Sequence, residues 1–174
     1  PGHGSSKAVK EAKAELIVQH GADRILKPDV YDNILAMRDS VLDNALSLDL
    51  LDGADTEVSH YWTEDRTRTR LSDTERKTRT FHIECKARID ALPREDSQWN
   101  NCIVDIKTTA NAHPDEFRRT VGNFSYHIQA AHYLAATDRD RFIFIVVERD
   151  APHCVAIYEL DDDALYLGRE TREF

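Results

Sequence analysis

The run Phe81-His82-Ile83-Glu84-Cys85-Lys86-Ala87-Arg88-Ile89-Asp90-Ala91-Leu92, followed by Ile103-Val104-Asp105-Ile106-Lys107, decides the reading of the chain. Successive side chains in a strand point to opposite faces. In the first segment that rule sets Phe81, Ile83, Cys85, Ala87 and Ile89 on one face and His82, Glu84, Lys86, Arg88 and Asp90 on the other. The second segment is predicted as a strand in which Asp105 and Lys107, two apart, leave the same face. A turn near Asp96-Ser97 makes the two strands antiparallel neighbours, which brings Asp90 towards Asp105 and Lys107. Two carboxylates and one ammonium on a buried sheet are costly without a further partner. A hard divalent cation, Mg²⁺ or Mn²⁺, supplies the missing charge, with water completing its oxygen shell. An adjacent lysine can orient or deprotonate that water.

Outward from this pair, the pattern predicts a helix from Lys7 to Gln19 and another from Pro28 that ends before Asp52-Gly53. A short strand follows at Glu57–Thr63. Residues 64–80 carry six basic side chains (Arg66, Arg68, Arg70, Arg76, Lys77, Arg79) and four acids (Glu64, Asp65, Asp73, Glu75) with nothing to bury, so they are read as a basic hairpin arm or loop. Such an arm either tracks phosphates, with a salt-sensitive contribution, or is a solvated tip. Pro114 opens a short helix that stops at Gly122-Asn123. Tyr126–Ala136 is a second helix, with Tyr126, Gln129 and Tyr133 on one face. Phe142–Val147, continuously apolar, is predicted as a buried central strand. Val155–Leu160 is one more strand, and a last helix begins at Asp161. The expected architecture is α/β (α+β): a central mixed β-sheet flanked by helices, in one domain spanning 1–174.

Composition narrows the classes. The chain has 174 residues and a formal net charge of −9, which excludes a uniformly basic coat but not a local basic groove. No run approaches the ~18 apolar residues of a membrane span. Pro1 to Ser6 reads as a flexible start, and Pro1 in place of Met suggests a trimmed or incomplete beginning. The three cysteines, Cys85, Cys102 and Cys154, make no Cys-x-x-Cys pair. That argues against a zinc knuckle or an iron–sulfur nuclease, and each is expected to be a reduced core thiol.

Asp90 followed by Asp105-Ile106-Lys107 resembles the Asp…(Asp/Glu)-x-Lys signature of the PD-(D/E)xK nuclease superfamily. Cys85–Asp90, Ile103–Thr109 and Tyr126-His127-Ile128-Gln129-Ala130-Ala131-His132-Tyr133, in that order, resemble its RecE-like (exonuclease VIII) branch, and Glu57–Trp62 fits the preceding strand. The resemblance implies a restriction-endonuclease-like core. It implies that Asp90 and Asp105 bind Mg²⁺ (or Mn²⁺), that the Ile106 carbonyl adds a ligand, that Lys107 is the catalytic lysine and that Glu57 is an extra acid at the sheet edge. Gln129 and Tyr133 match the Gln-x-x-x-Tyr motif beside metal and DNA, and Tyr126, Arg88, Arg66, Arg68 and Arg70 join the expected DNA-binding set. The implied activity is 5′→3′ exonuclease digestion of double-stranded DNA ends in a cytoplasmic phage or bacterial recombination system. A toroidal homo-oligomer and a single-strand annealing partner go with it.

Two departures stand out. Ile89 replaces the proline of the signature, and the family's Gly-Thr-Ala-x-His helix has no counterpart here, His20 being out of place for it. The domain is therefore expected to lack its N-terminal histidine-bearing helix. The alternative function is a catalytically degenerate nuclease fold acting as a DNA-binding or assembly module. Asp105 and Lys107 as a surface ion pair, Glu57 as a solvated acid, and Gln129 and Tyr133 as packing residues are the plainer readings.

Overall fold

The computed structural model describes residues 7–21, 25–71 and 76–172, with backbone only at Arg70 and Leu71. The expectations for Pro1 to Ser6, and for Asp73 and Glu75 in the arm, fall outside the described residues.

Helices α1 (Lys7–His20), α2 (Pro28–Asp43) and α3 (Ala45–Leu51) precede strands β1 (Asp55–Leu71), β2 (Arg76–Leu92) and β3 (Cys102–Thr109). Helices α4 (Pro114–Asn123) and α5 (Tyr126–Leu134) carry the chain over to β4 (Arg141–Glu148). Strand β5 (Val155–Glu159) and helix α6 (Asp162–Arg172) follow. The five strands lie in the order β1-β2-β3-β4-β5, antiparallel except for the β3–β4 pair. This is the mixed α/β sheet that the residue pattern predicts.

Each sheet face has its own core. On one, Ala87, Ile89, Ile103, Phe142, Phe144 and Val146 pack against Phe117 of α4, Ala130 of α5 and Leu165 of α6. On the other, Ala91, Cys102, Val104, Ile143, Ile145 and Val147 meet Val41 of α2 and Leu50 of α3. Strand β4 feeds both cores, which explains its uninterrupted apolar run.

The structure corrects several expectations. The helix predicted from Pro28 to Asp52 is two helices: Asn44 adopts an extended conformation, and its side chain accepts a hydrogen bond from Ser47 N at 3.0 Å. Helix α1 buries none of its residues, so Ala8, Ala12 and Leu16 form no core face. Cys154 is exposed and Cys85 half-buried; only Cys102 is a core thiol. Of the two readings of residues 64–80, hairpin arm or loop, the described residues 64–71 and 76–80 fit the arm: they are strand. Strands β1 and β2 pair without a break from Val58↔Ile89 to Leu71↔Arg76. Threonines hold the outer part of this ribbon, with hydroxyls meeting at 3.3 Å (Thr67–Thr80) and 3.2 Å (Thr69–Thr78). The ribbon outruns the helices, which leaves Phe81 and Ile83 exposed instead of in the core.

Helices α5 and α6 anchor the root of the ribbon. The Trp62 ring packs on His132 of α5, and its Nε1 donates to Glu64. Glu64 also pairs with Arg172 of α6, while Arg172 Nε donates to His132 Nδ1. The other imidazole nitrogen then carries the proton and donates to the Lys86 carbonyl at 3.1 Å.

Gly168 lies inside α6 because the two helix backbones touch there. A Cβ at this position would sit 2.2 Å from the His127 carbonyl oxygen. Gly168→Ala is expected to destabilise the fold by about 1–3 kcal/mol through this clash, reversing the gain of up to about 1 kcal/mol that alanine brings to an open helix. Urea unfolding of the two proteins measures it, and a stabilised variant would contradict the close approach.

Candidate active site

The site forms where two strands part. Strands β2 and β3 share one registered pair, Ala91↔Val104. At Asp90 the β2 strand also changes its inward face: Ile89 packs in the α4–α6 core, whereas Ala91 packs in the α2–α3 core. Opposite this point in β1, Glu57 has a left-handed backbone with φ of 56° and falls between the pairs Thr56↔Ala91 and Val58↔Ile89. Such a conformation is uncommon for a non-glycine residue in a strand. The parting leaves Ile106 without a backbone partner on the β2 side, and the Asp90 side chain replaces it. Asp90 Oδ2 accepts the Ile106 N–H at 2.9 Å.

Asp105 projects into the α4–α6 core side and is 1% exposed. Gln129 Nε2, from α5, donates to Asp105 Oδ1 at 3.0 Å. Gln129 Oε1 accepts from Lys107 Nζ at 3.2 Å, and that ammonium lies 2.7 Å from Asp105 Oδ2. The same Nζ stands 4.6 Å from the centre of the Tyr126 ring, a cation–π arrangement. Asp105 Oδ2 thus has the Lys107 ammonium as its partner, in an ion pair off the line of an ideal hydrogen bond. Burial pushes the Asp105 carboxyl up to about 6; the nearby Lys107 ammonium opposes the rise, the Asp90 charge adds to it, and Gln129 opposes it.

The structure thus brings together Asp90, Asp105, Lys107, Gln129 and Tyr126, and places the Ile106 main chain beside Asp90. It does not bring in the remaining expected residues. The Glu57 carboxylate is exposed and paired with Arg88, so the two satisfy each other at the sheet edge. Tyr133 packs on Phe142. Arg66 pairs with Glu64 and donates to the Arg172 carbonyl. Arg68 is exposed on the ribbon, and the Arg70 side chain is outside the described residues. Reading the sequence alone missed the contact of Lys107 with Tyr126; the i, i+3 spacing of Tyr126 and Gln129 was the available signal.

Asp90 and Asp105 fit a hard divalent cation: two neighbouring carboxylates, one of them buried and with its pKa pushed up by that burial. Among the described residues, no group of three or more His, Cys, Asp and Glu side chains is placed to hold a metal.

Residues 73–173 match the family described as a PDDEXK-like domain of unknown function (DUF3799). The chain belongs to this family. Its matched region contains both strands of the acidic pair, α5 and α6. No curated protein matches the chain in sequence. A solved structure of a candidate exonuclease from Eubacterium rectale shares its fold, with a TM-score of 0.61 at 14% identity over 95% of this chain. This PDDEXK-like chain spans 58% of the length of that structure. A phage-related exonuclease from Haemophilus somnus 129PT aligns over 99% of this chain and 85% of its own, at 14% identity and a TM-score of 0.45. Among the described residues no helix is long and apolar enough to cross a membrane.

Burial raises Asp105 above its unfolded value, so ionising it costs folding stability between about pH 4 and about pH 6. Asp105→Asn removes that ionisation. In metal-free buffer the variant is expected to gain stability relative to the parent as pH rises through this window. Chemical unfolding at a series of pH values checks it; a constant difference would contradict the burial-driven shift.

Proposed function

We propose that this PDDEXK-like domain is a divalent-metal-dependent nuclease that hydrolyses phosphodiester bonds at the ends of linear duplex DNA. The observation that carries the reading is the buried Asp105 carboxylate, paired with the Lys107 ammonium at 2.7 Å and joined to it by Gln129, beside Asp90. Family membership and the shared fold support a nuclease. The finer reading is a 5′→3′ exonuclease of a cytoplasmic recombination system that works as a toroidal oligomer and hands its 3′ single strands to an annealing protein. It rests on the RecE-like sequence blocks Cys85–Asp90, Ile103–Thr109 and Tyr126–Tyr133.

Asp90, Asp105 and the Ile106 carbonyl would hold Mg²⁺ or Mn²⁺, which when bound neutralises phosphate charge and acidifies a coordinated water. The protein's own residues do the rest. Asp90 is aimed by the Ile106 N–H and Asp105 by Gln129, so both carboxylates are set before a ligand arrives. Gln129 also holds Lys107, whose ammonium can orient the attacking water and stabilise charge developing on the phosphoryl oxygens. Tyr126 backs that ammonium from the other side.

A second reading, a degenerate nuclease fold that binds DNA without cutting it, draws support from Glu57, which is bound to Arg88 away from the acidic pair. Digestion of end-labelled linear duplex with and without Mg²⁺ separates the two. Asp105→Ala and Lys107→Ala are each expected to lower Mg²⁺-dependent hydrolysis by at least about 10²-fold. Asp90→Ala should also abolish the calorimetric heat of Mn²⁺ binding. Metal binding without hydrolysis by the parent would favour the degenerate reading; full activity in Asp105→Ala would reject the site.

A further inference from the structure

The register of the β1–β2 ribbon concentrates positive charge in a way the sequence does not show. Arg66, Arg68 and Arg70 alternate with Thr67 and Thr69 in β1, while Lys77, Arg79 and Phe81 alternate with Thr78 and Thr80 in β2. The registered pairs are Arg66↔Phe81, Thr67↔Thr80, Arg68↔Arg79, Thr69↔Thr78 and Arg70↔Lys77. The hydroxyl contacts of both threonine pairs place them together on one face, with the Asp65–His82 pair. The opposite face takes the arginine row. Cation therefore stands directly across from cation on that face at Arg68 and Arg79. Like charges directly opposite destabilise an antiparallel pair. Arg68 and Arg79 are exposed, and neither meets an acid among the described residues. Glu64, the nearest acid on this face, is engaged by Trp62, Arg66 and Arg172.

From this geometry we infer that the arginine face of the ribbon is a phosphate-contacting arm for duplex DNA, with Arg68 and Arg79 at its centre. The inference rests on the nuclease reading above and extends it to a second, sequence-independent contact. From Asp90 to Arg79 the strand runs eleven residues, at most ~36 Å at ~3.3 Å each, the length of roughly ten base pairs at ~3.4 Å. The arm therefore meets backbone well away from the reacting phosphate. A two-stranded ribbon bearing arginines suits such a contact, because it is narrow enough for a major groove and phosphate contacts need no apolar anchor. Protein interfaces instead centre on clusters of aromatic or apolar residues, whereas Phe81 is the one such side chain beside Arg79 on this face among the described residues. Arg66, tied to Glu64 and Arg172, braces the base of the arm.

The test is fluorescence anisotropy of a labelled mixed-sequence duplex in EDTA, across a range of NaCl concentrations. Each phosphate contact contributes about 0.9 to the slope of log K against log salt. Arg68→Gln with Arg79→Gln is expected to flatten the parent's slope by about 1.8 and to leave the melting temperature equal or higher, since repulsion is relieved. Arg79→Glu offers Arg68 a cross-strand partner and serves as the second variant: it should stabilise the ribbon and still weaken DNA binding. An unchanged slope in variants of a parent that does bind duplex overturns the arm and leaves the nuclease reading standing. A parent that neither binds nor cuts duplex overturns the nuclease reading, and the arm with it. Loss of polyglutamate binding with an unchanged DNA slope would assign the patch to an acidic protein and overturn the inference.

Discussion

A single hydrogen bond, from the Ile106 N–H to the Asp90 carboxylate, organises the candidate site. Neighbouring strands normally satisfy each other's main-chain groups along their whole length. Here β2 and β3 separate just beyond Ala91↔Val104, and a side chain takes over the role of a strand. The exchange opens a gap without leaving the Ile106 amide unpaired, and it places the Asp90 carboxylate at that gap. Asp105, one residue before the amide, is held in the α4–α6 core by the same strand geometry. The spacing of the two carboxylates is therefore a property of the sheet, not of flexible loops.

The remaining members of the site arrive on α5, whose position depends on close packing. Gly168 lets α6 approach the His127 carbonyl, and Phe117, Phe142 and Phe144 fill the space beneath Tyr126. With α5 seated in this way, Gln129 spans Asp105 and Lys107 with one amide, donating to the first and accepting from the second. A buried acid and a buried base beside it would each be expensive alone. The amide and the Tyr126 ring make their juxtaposition tolerable, and the acid still titrates high.

Charge is divided in space in a chain whose net charge is −9. The acidic pair lies at the parting of the strands, while exposed arginines lie on one side of a ribbon that leaves the globular core. The ribbon carries almost no apolar surface in its outer part, and cross-strand threonines on its reverse face keep it paired. The Trp62–His132–Arg172–Glu64 network fixes the base of the ribbon against the same α5 that carries Gln129. Arm and centre are thus set on one rigid support.

Much of this was legible in the residues. Alternation in Phe81–Leu92, the apolar run Phe142–Val147 and the helical spacing of Tyr126, Gln129 and Tyr133 define the sheet and its helices, because periodicity records which side of an element meets the core. The spacing of Asp105 and Lys107 on one strand, and the neighbouring place of Asp90, follow from the same rule. Other features depend on contacts between residues far apart in the chain. Asn44 broke a predicted helix by capping the next one, and threonine pairing decided for strands in a segment whose polarity left hairpin arm and loop both open. Glu57 pairs with Arg88 and the half-buried Tyr133 packs on Phe142, contacts that their motifs do not announce. The sequence alone determined which side chains share a face. Only the tertiary structure decided which faces meet, because strand register, the parting of β2 from β3 and the approach of α5 are fixed by packing across the sheet.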